Sequence, residues 1–104
     1  MRYVYIFIHT STHKDYGNVE FDFKNHSDVL SSYTKAIHEM EWRHNYDIED
    51  GQEVTDIQYA ENPSLYYTAE LCSFTSTDKY GFTTRHQLFR SPLYNYTINF
   101  GGRG

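Results

Sequence analysis

Only one stretch of this 104-residue chain, from Ser27 to about His44, repeats its apolar residues at helical spacing. Val29, Leu30, Tyr33, Ile37 and Met40 fall three and four positions apart and make a single stripe. Ser27 is placed to cap the first free N–H groups, and Asp28 sets negative charge against the positive helix end. The rest of the chain is cut by turn signals into short runs rich in β-branched and aromatic residues.

Residues 2–10 form the first such run, too short for a helix and apolar on both faces at its centre, as in a strand covered on each side. A polar loop from Ser11 to Gly17 is expected next. Val19, Phe21 and Phe23 then alternate with Glu20, Asp22 and Lys24, which predicts a strand with one wet face that pairs with the first as a hairpin. Beyond the helix, Asp50-Gly51 marks a turn, and residues 53–60, 65–75, 82–90 and 93–100 read as four further strands. They are separated by Asn62-Pro63-Ser64, by Asp78-Lys79-Tyr80-Gly81 and by Ser91-Pro92. The predicted order is ββαββββ, an α+β fold in which one amphipathic helix packs on an antiparallel sheet of about six strands. Residues 1–104 are read as one domain, with Gly101-Gly102-Arg103-Gly104 as a frayed tail.

Aromatic residues make up 18% of the chain, which excludes ordinary disorder. The lone Cys72 excludes an intramolecular disulfide and points to a reducing compartment, and its mid-strand setting predicts a buried, inert thiol. The opening residues Met1 to Ile8 lack the length and cleavage site of a leader, and nothing approaches the roughly 18 apolar residues that cross a bilayer. A soluble, cytoplasmic protein without a cofactor is expected.

Formal net charge is -5, yet residues 39–61 alone carry -7. Glu39, Glu41, Asp47, Glu49, Asp50, Glu53, Asp56 and Glu61 stand there against Arg43 only. Direct nucleic-acid binding is not expected of such a chain, because phosphate affinity comes from Lys and Arg. Arrayed carboxylates suit instead an Arg- or Lys-lined channel, for which they substitute for phosphates. Trp42 lies roughly 170° around the helix from the apolar stripe and is expected to face outward among these acids, where a Trp serves as a binding anchor.

Catalytic constellations are incomplete. His9-Thr10-Ser11-Thr12-His13 contains one His-x-Ser triplet of the kind that two-histidine phosphoesterases use in pairs, but His86-Gln87-Leu88 has Leu where the second hydroxyl belongs. His38 to His44 lacks His at the i+4 position of a zinc helix, where Trp42 stands. The single Glu41-x-x-His44 pair has no counterpart on a second helix, so no metal site is expected. His44 lies close to the apolar stripe and is expected to be a partly buried structural residue. Arg85 and Arg90, with Tyr94, Tyr96 and Phe100, offer a small stacking surface for single strands, although cross-strand aromatic pairing accounts for the same residues. Eleven tyrosines exceed what this core can bury with every hydroxyl bonded, so some are expected on the surface.

In length, acidity, tyrosine content and lack of a catalytic set, the chain is similar to small phage-encoded proteins that disable host machinery, anti-CRISPR proteins among them. That resemblance of composition implies a viral inhibitor. The leading expectation is therefore a non-enzymatic binding protein that blocks a basic, nucleic-acid-handling partner or nuclease complex. It would act as monomer or homodimer through Glu39 to Glu61 and Trp42. A small phosphoesterase or metal-dependent hydrolase using His9, Ser11 and His13 or His86 is the alternative. A homo-oligomeric assembly protein that pairs through its late strands is the third reading.

Overall fold

The computed structural model describes residues 2–15, 17–21 and 32–93. Strand β1 (Arg2–His13) pairs antiparallel with β2 (Gly17–Phe21) as the expected hairpin. Helix α1 (Tyr33–Glu49) follows, then β3 (Glu53–Tyr59), β4 (Ala69–Thr77) and β5 (Phe82–Leu93). These strands form one antiparallel sheet in the order β2-β1-β5-β4-β3, so the first strand and the last meet at its middle. The α+β expectation holds, with five strands among the described residues instead of six; most of the sixth, 93–100, lies outside them.

Boundaries differ from the sequence reading for identifiable reasons. Strand β1 runs on through Ser11 to His13 because this polar stretch pairs residue by residue with Phe82 to Thr84. The Ser11 and Thr84 hydroxyls bond each other at 2.9 Å. Helix α1 starts later and ends later than expected. Its cap is Ser32, whose hydroxyl accepts from the Lys35 N–H, while Ser27 and Asp28 lie outside the described residues. At the other end the chain turns through Gly51 at φ 81°, a left-handed conformation that glycine adopts without strain.

Residues 60–68, partly read as strand, form a loop whose backbone groups are met by side chains. Arg90 donates to the Pro63 and Ser64 carbonyls at 3.2 and 2.8 Å, and Tyr3 donates to the Leu65 carbonyl. Pro92 does not end β5. The ladder to β4 stops at Arg90, so beyond it β1 is the only strand among the described residues that pairs with β5, and a residue without an N–H is tolerated. The β4–β5 turn is tied by the Asp78 carboxylate, which accepts from the Tyr80 and Phe82 N–H groups.

The core lies between α1 and one face of the sheet. Phe7 and Leu88 are cross-strand partners at its centre, flanked by Tyr5, Cys72 and Phe74, with Ala36 and Met40 pressing down from the helix. The opposite face carries Arg85, which donates to Ser73, Thr75, Gln58 and the Asp56 carbonyl. Arg90 is on the helix side with its guanidinium over the Tyr3 ring. The two arginines therefore do not share a surface, and both are engaged within the chain; Tyr94, Tyr96 and Phe100 lie outside the described residues.

Candidate functional site

Helix α1 has two unlike faces. Its inner face is Ala36, Met40 and, unexpectedly, Asp47. Its outer face carries Trp42 and Tyr46 one turn apart, their rings stacked 5.4 Å between centroids and tilted by 21°. Trp42 is 55% exposed and Tyr46 52%, so the outward placement read from the helical period is observed. The Arg43 guanidinium approaches the Trp42 ring at 5.9 Å, and a shallow groove beside it is lined by Lys35, His38 and Glu39.

The acidic residues do not act as one group. Glu41, Glu49, Asp50, Glu53, Asp56 and Glu61 are exposed and Glu39 is half-buried. Glu49 and Asp50 stand at the C-terminal end of α1, where the last turn holds no basic residue. Acids at the negative end of a helix dipole cost a few tenths of a kcal/mol each, so this placement does not serve stability. Asp50 accepts from the Gln52 side chain, and Asp56 has φ 51°, with its carbonyl held by Arg85.

Asp47 departs from the surface reading. It is 6% exposed, and its carboxylate accepts from the Ser76 hydroxyl at 2.5 Å and from His86 Nε2 at 3.2 Å. Burial pushes its carboxyl pKa up. The bonds from His86 and Ser76, with the charges of His86 and Arg43, outweigh that and hold it below the usual carboxylate value. The chain of polar groups continues inward, since His86 Nδ1 meets His9 Nδ1 at 2.6 Å. One hydrogen must lie between the two nitrogens, and with Nε2–H given to Asp47 the His86 ring has a single nitrogen left for His9.

The two histidines of the hydrolase reading are thus brought together by the β1–β5 register, in which His9 faces His86. They are also closed off. Both rings are buried, at 6% and 5% exposure, and a phosphate cannot sit between nitrogens already in hydrogen-bond contact. Ser11 is bonded to Thr84, while His13 contacts the Tyr80 carbonyl and packs its edge on Phe82. Ser76 donates its hydroxyl to the Asp47 carboxylate. Among the described residues no group of three or more His, Cys, Asp or Glu is arranged to hold a metal.

A cleft of about 310 Å³ opens between α1 and β3. Its floor is Ile37, Met40, Cys72 and Phe74, and its rim holds Glu41, His44 and Asn45 on one side and Ile57 and Tyr59 on the other. Burial raises the Cys72 thiol to about 11, with Glu70 adding to the effect, so it is unreactive as the sequence suggested. His44 is half-buried with its ring edge against Phe74, also as expected.

Sequence reasoning missed Ser76, Tyr46 and the cleft. Tyr46 was within reach, lying four residues after Trp42 on the same helix face. Ser76 and the cleft depend on sheet order, which local patterns do not encode. Among the described residues β4 and β5 are interior strands and β2 and β3 are the sheet edges, while most of the last strand invoked by the third reading, 93–100, lies outside them. No helix among the described residues is long and apolar enough to cross a membrane. No family model, curated protein or solved structure matches this chain.

Proposed function

We propose that this is a non-enzymatic binding protein that blocks a basic, nucleic-acid-handling partner through the outer face of α1 and the acids that surround it. The observation that carries the reading is the stacked Trp42–Tyr46 pair, more than half exposed in a segment of net charge -7. Large aromatic rings gain little from exposure, and Trp and Tyr dominate binding hot spots when a partner covers them. Glu49, Asp50 and Glu53 near the helix end supply a field that steers basic surfaces toward the pair. The burial of His9 and His86 and their direct contact favour the binding reading over the hydrolase reading. An inhibitor of this kind agrees with what the compositional resemblance to phage anti-defence proteins implies.

The test is affinity capture from lysate at low ionic strength with the wild-type protein and Trp42→Ala as bait. Retention of a basic nucleic-acid-binding protein or nuclease complex, released by salt and lost with Trp42→Ala, supports the reading. Empty wild-type beads at low salt overturn it.

A further inference from the structure

We infer that the cleft between α1 and β3 seats the guanidinium and aliphatic stem of an arginine side chain from the basic partner. This rests on the reading above and gives that partner a specific chemistry. The cleft has an apolar floor in Ile37, Met40 and Phe74 and no Lys or Arg in its lining. Its one carboxylate is Glu41, and the other polar side chains at the rim, His44, Asn45 and Tyr59, each offer an acceptor lone pair beside a donor. Glu41 is an exposed carboxylate with no hydrogen-bond or ion-pair partner among the described residues. His44 Nδ1 lies 3.2 Å from Asn45 Oδ1, and the tautomer that donates there leaves Nε2 as an acceptor. Asn45 Oδ1 retains a second lone pair, and the Tyr59 hydroxyl, on a side chain 75% exposed, also accepts.

A rim with a carboxylate and no Lys or Arg, over an apolar floor, matches a donor-rich cation on a hydrocarbon stem. Arginine fits better than lysine for two reasons. Its planar fork takes a carboxylate such as Glu41 in two parallel bonds, and its weakly hydrated face stacks on rings such as Tyr59. Its methylenes can cover Ile37 and Met40 while the charge stays at the rim. The surrounding acids raise the local concentration of any such cation. A neutral apolar ligand would leave Glu41 unpaired and gain nothing from that field.

The experiment follows backbone amide shifts by NMR while N-acetyl-arginine amide, N-acetyl-lysine amide and N-acetyl-norleucine amide are titrated in turn. Saturating shifts at Glu41, His44, Ile57 and Tyr59 are expected with the arginine compound. Affinity should fall severalfold for lysine and tenfold or more for norleucine. Glu41→Gln should weaken the arginine compound about tenfold, as loss of a charge-assisted bond does, without disturbing the spectrum elsewhere. Equal binding of norleucine, an unchanged affinity in Glu41→Gln, or shifts confined to Trp42 and Tyr46 overturns the assignment. Trp42→Ala tells the two proposals apart: it should abolish partner capture yet leave the arginine affinity within twofold. Arginine binding by a protein that captures no basic partner overturns the function proposed above and, with it, the partner as the source of the arginine.

Discussion

The inner and outer faces of α1 hold acids that look alike in the sequence and behave as opposites in the fold. Asp47 is buried, with its charge matched by the Ser76 hydroxyl and the His86 ring. Glu49 and Asp50, two and three residues later, are exposed and sit where the helix dipole disfavours them. A buried carboxylate is tolerated only when its lone pairs are met, so Asp47 fixes α1 against β4 and β5. Of the exposed pair, Asp50 accepts only from the nearby Gln52 side chain, a local contact that ties no two elements of the core together. In the proposed reading, what Asp47 contributes to the fold its exposed neighbours offer to a partner.

Removing the inner acid should therefore have the largest effect. Asp47→Ala leaves Ser76 and His86 without their acceptor, and breaking a buried pair of this type costs about 3 kcal/mol or more. Urea unfolding should show a correspondingly lower midpoint with a similar slope. A loss below about 1 kcal/mol would mean that water reaches Asp47 and that the two faces are less different than their burial indicates.

The outer face should respond in binding and not in folding. Trp42→Ala removes an exposed ring, so its stability should change by within about 0.5 kcal/mol. Partner dissociation should accelerate to match a loss of roughly 2 kcal/mol, the scale of a true hot spot. Paired unfolding and dissociation measurements on the one variant decide it. Destabilisation without any change in dissociation would make Trp42 a cover for the core.

Acid sharpens the contrast further. The folded protein holds Asp47 below its ordinary value of 3.8, so the unfolded chain takes up a proton there first. Its contribution to stability is complete above that value and is lost as the pH falls through the lower, folded one. Unfolding midpoints measured from neutral pH down into that range should decline, and Asp47→Asn should flatten the decline. An equal slope in both proteins would place the acid sensitivity among other carboxylates.

Legibility in the sequence followed how local each feature is. The hairpin, the helix and the outward Trp42 rest on spacing within a few residues, and these were readable. The α1 start was misplaced because both Ser27 and Ser32 are competent caps and the apolar stripe extends between them. The β5 boundary was misplaced because a proline interrupts a strand only where a ladder partner needs its N–H. The Asp47–His86–His9 chain joins residues 39 and 77 positions apart, through a sheet order that no local pattern announces. Asp47 was assigned to the surface because composition counts charges without locating them.

The smallest expected effect on folding comes from reversing the acids at the helix end. Glu49→Lys, Asp50→Lys and Glu53→Lys together take the 39–61 segment from net -7 to -1. All three side chains are exposed, so stability should move by no more than about 0.5 kcal/mol. Lysine at the C-terminal end of α1 even improves the match to the helix dipole, which sets the expected sign as slightly stabilising. Partner association should slow severalfold, because long-range attraction acts mainly on encounter and is screened within about 8 Å at physiological salt. Dissociation should change less, since the Trp42 contact remains. Stopped-flow association at two ionic strengths reads the difference directly: the reversed protein should show a flatter salt dependence than wild type. If both proteins associate at the same rate in low salt, Glu49, Asp50 and Glu53 are only a wet surface, and electrostatic steering by the helix end is excluded.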